Sequence, residues 1–116
     1  MNKIGREREV VEILEKLKDH ELFPQPIKDG FILHIGEGHM YAEQALNKKM
    51  DLISFERRLE LMARLPRDIP NSEWRIAVLM HLLEKIGHSP DRFDFKLLAA
   101  RRNLPERIEV KIKPQK

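Results

Sequence analysis

Two histidines and a glutamate lie close together in the stretch FILHIGEGHMYAEQAL (Phe31–Leu46), where His34, Glu37 and His39 follow the order H-x₂-E-x-H. Imidazole and carboxylate donors suit zinc, iron or nickel, and a coordination position left open can activate water. The order differs from the helical metalloprotease patterns, which hold two histidines at i,i+4. The same stretch sets Gly-Glu-Gly between an apolar run and an amphipathic one, as phosphate-binding loops do. It lacks the lysine of G-x-x-x-x-G-K-[ST], the last glycine of G-x-G-x-x-G has no counterpart, and Glu37 repels a phosphate. The plainer reading is architectural. Gly36 and Gly38 let a strand turn sharply into a helix, and Glu37 complements that helix's dipole.

A second pair of candidates stands further along, in WRIAVLMHLLEKI, where Arg75 and His81 are spaced R-x₅-H. This spacing resembles the R-x₄₋₆-H signature of HEPN-type ribonucleases, small helical proteins that use the two residues at a dimer cleft. The resemblance implies general acid–base or transition-state roles for His81 and phosphate stabilisation by Arg75. Family members usually carry a polar residue after the arginine, and here it is Ile76. The alternative is structural, with His81 meeting Glu84 at i,i+3 and Arg75 at a solvent edge.

The third cue is basic. Residues 1–91 hold 14 Lys/Arg against 16 Asp/Glu, whereas residues 92–116 hold 8 against 3, so the net charge of +3 comes from the C-terminal end. Lys96, Arg101, Arg102, Arg107, Lys111 and Lys113 are candidate phosphate contacts for DNA or RNA. Four of them also have an ordinary role: Arg101 and Arg102 complement the end of a helix dipole, and Lys111 and Lys113 guard an edge strand. Phe93 and Phe95 are too few aromatics for a single-strand stacking platform. Glu12–Glu15 and Glu56–Glu60 are flanked by basic residues and read as surface patterning. Ser54, Ser72 and Ser89 read as helix caps, and no G-x-S-x-G accompanies them.

Composition limits the classes. With 116 residues, 41% apolar and 35% charged, the chain reads as a single globular domain over residues 1–116, with a short basic C-terminal end. There is no cysteine, which excludes disulfides, thiol catalysis and thiolate zinc sites and fits a reducing cytoplasm, the expected location. No window is apolar enough to span a membrane, and the charged N-terminus lacks the apolar core of a secretory signal.

These candidates need elements to hold them. Val10, Ile13, Leu14 and Leu17 mark one face of a helix over residues 5–20, and FPQPIKDG breaks it. FILHI (Phe31–Ile35) predicts a buried strand, and residues 39–50 a helix. Ser54 caps a further helix with Phe55, Leu59 and Met62 as its stripe, ended by Pro66 and Pro70. WRIAVLMHLLEKI, capped by Ser72 and closed by Gly87, is apolar almost all round and belongs at the centre of a core or an interface. A short helix is predicted over residues 93–102, and RIEVKIK alternates as a half-buried strand.

The expected fold is thus α+β and predominantly α-helical: about five helices and two short strands (about 31–35 and 107–113) forming a small sheet within or between subunits. Helices must cover such a ribbon, or a strand must pair across a two-fold axis, and the homodimer is the favoured alternative. The expected function is a small non-catalytic binding or regulatory module acting on a protein partner, with no cofactor. A nucleic-acid-binding protein using the basic end is the alternative. A HEPN-like ribonuclease or metal-dependent hydrolase is the second.

Overall fold

A computed structural model of the chain describes residues 3–35, 40–69 and 73–114. The elements, in order, are α1 (Lys3–Lys18), β1 (Gln25–Ile27), β2 (Gly30–His34), α2 (Met40–Met50), α3 (Phe55–Ala63), α4 (Trp74–Lys85), β3 (Phe93–Leu98) and β4 (Arg107–Ile112). A single 3₁₀ turn, Pro90–Arg92, leads into β3. The class is α+β, the described residues forming four α-helices and a four-stranded antiparallel sheet ordered β1-β2-β4-β3.

The alternation in β4 explains its place. Ile108, Val110 and Ile112 are buried on one face, level with Phe31 and Leu33 of β2 and with Phe93 and Phe95 of β3. β4 therefore pairs on both sides, with β2 through Gly30↔Lys111 to His34↔Arg107 and with β3 through Phe93↔Ile112 to Leu98↔Arg107. Gly30 is required where β2 meets β4, because a Cβ there would stand 1.9 Å from the Val110 carbonyl oxygen.

Two departures from expectation concern strands. Residues 93–102 form β3 and the tip of a hairpin, not a helix. Leu97, Leu98, Ala99 and Ala100 are good helix formers, but Phe93, Asp94, Phe95 and Lys96 alternate with period two, and pairing with β4 overrides local propensity. Residues 25–27 also pair, through the tight turn at Lys28 and Asp29, where Asp29 has φ 61°. Proline is tolerated there because β1 is an edge strand.

The helices cover the apolar face of the sheet. Val10, Ile13 and Leu17 of α1 are buried as their spacing requires, and Leu14 packs partly against the same core. α4 buries Ile76, Ala77, Val78, Leu79, Met80, Leu82 and Leu83, so it is the central helix. It closes with a Schellman motif: Gly87 takes φ 101°, its N–H reaches the Glu84 carbonyl, and the His88 N–H reaches Leu83. Ser54 caps α3 by accepting from Arg57 N at 3.2 Å. Ser72, expected to cap α4, lies outside the described residues, and Glu73 accepts from Arg75 N at 3.3 Å.

α3 is rotated from its expected orientation. Phe55 and Leu59 are 71% and 54% exposed, while Leu61 is fully buried. The arginines explain the turn: Arg58 donates to the Ile53 and Met50 carbonyls at 3.0 and 2.8 Å, and Arg57 donates to Glu84 of α4. Those bonds draw the Arg57–Arg58–Leu61 side inward and leave the Phe55–Leu59 side out.

Candidate functional site

Arg75 emerges from the first turn of α4 into a carboxylate clamp. Its Nε and Nη2 donate to the two oxygens of Glu73 at 2.7 Å each, and Nη2 also lies 2.7 Å from Oε1 of Glu106, which precedes β4. Its side chain is 14% exposed, so it is not at a solvent edge. The hydrogen bond it donates to Glu73 raises its pKa against the opposing effect of burial, and Glu106 adds to the rise. A guanidinium held between two carboxylates has its charge offset and its donors engaged, so it offers little to a phosphate.

His81 lies nearly two turns further along α4. Among the described residues its buried Nδ1 has no hydrogen-bond partner, and Glu84 accepts from Arg57. Burial, then the charge of Arg57, pushes the His81 pKa down; Glu84 opposes this and Lys85 adds to it. The charged imidazole is thus disfavoured, beside a different arginine from the one its spacing suggests. Arg75 meanwhile is committed at the N-terminal end of the same helix.

His34 ends β2 on the face turned from the helices, opposite Arg107 of β4. Glu37 and His39, the other members of the suggested metal cluster, lie outside the described residues. Among the described residues no three His, Asp or Glu side chains are grouped to hold a metal ion.

The cations of the C-terminal section share one face in part. Lys96, Arg107 and Lys111 project from that same face, but Lys96 stands opposite Glu109 and Lys111 opposite Asp94 in the register. Arg107 donates to the carbonyls of Pro105 at 3.1 Å and Ala99 at 3.4 Å, which fixes the hairpin base. Arg101 and Arg102 are exposed at the hairpin tip, where Arg101 and Leu104 exchange backbone bonds. Lys113 lies beyond the other end of β4, its N–H donating to Arg92 O. The six cations thus divide between the tip, a charge-balanced face and the opposite end.

A different surface shows the least satisfied chemistry. Along α1 and the edge strand β1 runs an apolar groove, with pockets of about 330 and 500 Å³ that share Val11 and Pro26. Phe23 is 70% exposed and Val11 57% exposed, with Leu14 and Ile27 beneath them. The sequence carried a signal for it. Val11 stands off the buried stripe of α1, and Phe23 sits alone before Pro24 and Pro26, where extended geometry keeps it from turning into the core. Which apolar residues flank one another, however, depends on α1 lying beside β1.

No protein-family model matches the chain, and no curated protein or solved structure shows significant similarity to it. The functional reading therefore rests on the geometry of this chain.

Proposed function

We propose that the chain is a non-catalytic binding module that acts through protein–protein contacts, receiving an amphipathic helix of another protein in the groove between α1 and β1. The observation that carries this reading is the exposure of Phe23 and Val11 on the lining of one pocket, with Leu14, Pro24 and Pro26. Burying two such side chains contributes about 1.5–3 kcal/mol each. The occupant follows from the edge beside it. Pro26 has no N–H and β1 is only three residues long, so an incoming strand finds little to pair with, and docking must use side chains. The engagement of Arg75 by Glu73 and Glu106 points the same way, since it commits the Nε and Nη2 of that guanidinium to carboxylates.

The test places a photo-crosslinking residue at position 23 in cells, identifies the captured protein and measures its affinity after purification. Phe23→Asp and Val11→Asp are expected to weaken binding by at least about tenfold, or 1.4 kcal/mol. A purified partner that binds both variants as tightly as the unaltered chain would overturn the reading.

A second reading, a nucleic-acid contact, has one observation in its favour: Arg101 and Arg102 are adjacent and exposed at a hairpin tip beside Arg107. Two phosphate contacts there predict that Arg101→Ala/Arg102→Ala lowers the salt slope of RNA or duplex binding by about 2. Binding with no salt dependence removes this reading.

A further inference from the structure

The two edges of the sheet are unlike. In β2 the odd-numbered residues bond toward β4, as Ile35 N to Glu106 O and Ile112 N to Asp29 O show. Gly30 and Ile32 therefore bond toward β1, facing Ile27 and Gln25, and Pro26 is left pointing outward with no donor. That edge is blunted. At β3 the alternation runs the other way: Lys113 N donates to Arg92 O, so the even-numbered residues bond to β4. Phe95 and Leu97 consequently turn their N–H and C=O groups to the outer edge of the sheet, which no described strand pairs and no proline interrupts.

We propose that the free edge of β3 pairs with β3 of a second copy of this chain, antiparallel about a two-fold axis at Phe95, making one continuous eight-stranded sheet. The axis sets Phe95 against Phe95 as a hydrogen-bonded pair, which the direction of its N–H and C=O requires. Asp94 of each copy then stands opposite Lys96 of the other, in the closer, non-hydrogen-bonded pairing. Within each copy Asp94 already faces Lys111 and Lys96 faces Glu109. The paired sheet therefore carries unbroken rows of alternating charge across the junction: Lys111, Asp94, the second copy's Lys96, the second copy's Glu109. Sliding the register by two residues either way sets Asp94 against Asp94 or Lys96 against Lys96, so the charges select this register over its neighbours.

The inner face is compatible. Phe93 of one copy meets Leu97 of the other, beside a cleft of about 420 Å³ bordered by Met80, Phe93 and Phe95 and by the charged Arg64, Asp68 and Asp91. The sequence pointed to the last strand as the open edge, but β4 is interior and β3 takes that role. The inference does not rest on the α1–β1 groove, which lies at the opposite edge.

The test uses charge reversal with rescue by mixing. Sedimentation of the full chain at micromolar concentration is expected to show a dimer. Asp94→Lys makes the edge all positive and Lys96→Asp makes it all negative, so each variant alone is expected to self-associate at least about tenfold more weakly. An equimolar mixture of the two restores complementarity and is expected to form the heterodimer. A monomer in the unaltered chain, or a dimer that persists in both variants, would overturn the proposal. Should either variant fail to fold, amide exchange in the unaltered chain decides. Phe95 and Leu97 are expected to gain protection as concentration rises, and equal exchange at all concentrations counts against the pairing.

Discussion

Arg75 Nη2 stands 2.7 Å from Glu106 Oε1 while the same guanidinium grips Glu73, so one side chain ties the start of the central helix to the start of the central strand. Glu73 is 9% exposed and Glu106 30%, so removing the cation leaves one carboxylate buried without its partner. Arg75→Ala is expected to lower the free energy of unfolding by about 2–4 kcal/mol, near the range for breaking a buried pair. Arg75→Lys should recover only part, since an ammonium cannot reproduce the fork. Urea denaturation of the three proteins checks this. A loss below about 0.5 kcal/mol, the level of an ordinary surface substitution, would show that the clamp is not structural.

Glu9 on α1 makes a comparable joint at the other end of α4. It accepts from both terminal nitrogens of Arg92, and His88 Nδ1 lies 3.1 Å from it. Burial raises the Glu9 pKa, but the hydrogen bond and charge of Arg92, followed by those of His88, outweigh it and hold the carboxyl below its ordinary 4.5. The folded pKa is the lower one, so the stabilisation is complete above the unfolded value and is lost as pH falls through the folded one. Glu9→Gln is expected to cost about 1–2 kcal/mol at neutral pH, after allowance for the partly exposed arginine. The difference from the unaltered chain should shrink as pH falls below 4.5. A deficit that stays constant on acidification would refute this.

His81 and His20 predict a separate pH dependence at milder acidity. Each has a buried Nδ1 without a hydrogen-bond partner among the described residues. Burial is the largest influence lowering each pKa, joined by Arg57 and Lys85 at His81 and by Lys49 and Lys85 at His20; Glu84 and Asp19 respectively oppose it. The unfolded chain therefore takes up protons near pH 6.5 that the folded chain refuses. Stability falls as pH drops through that value and levels off below the folded pKa. Comparing urea midpoints at about pH 7.5 and about pH 5.5, His81→Leu is expected to lose less stability than the unaltered chain. Equal losses in the two proteins would mean that His81 is protonated in the folded state.

What the sequence revealed, and what it hid, divides by the range of the interactions. α4 was legible because Ile76 to Ile86 is apolar almost all round and Gly87 closes it, both local facts. β4 was legible because Ile108, Val110 and Ile112 alternate. β3 was not, since Leu97, Leu98, Ala99 and Ala100 favour a helix and only pairing with β4 decides otherwise. β1 was concealed by its own proline, Pro26, which an edge strand tolerates. The site candidates follow the same division. Arg75 was visible as a residue, but its clamp depends on Glu106, which is far away in sequence. The groove depends on α1 lying beside β1, and neither segment signals the other.

The orientation of α3 provides the sharpest test of that long-range control. Judged by spacing, Phe55 and Leu59 form the buried stripe with Met62, and truncating either should open a cavity. In the fold they are 71% and 54% exposed, and Leu61 is the fully buried residue of the helix. The arginine bonds to the Ile53 and Met50 carbonyls and to Glu84 hold this orientation. Phe55→Ala is therefore expected to cost less than about 1 kcal/mol, because little apolar area is returned to water. Leu61→Ala is expected to cost about 2–5 kcal/mol, as a buried leucine does when its cavity only partly collapses. Chemical denaturation of the two variants in parallel checks the ranking. Leu61→Ala proving milder than Phe55→Ala would mean that α3 packs in the orientation its sequence spacing suggests.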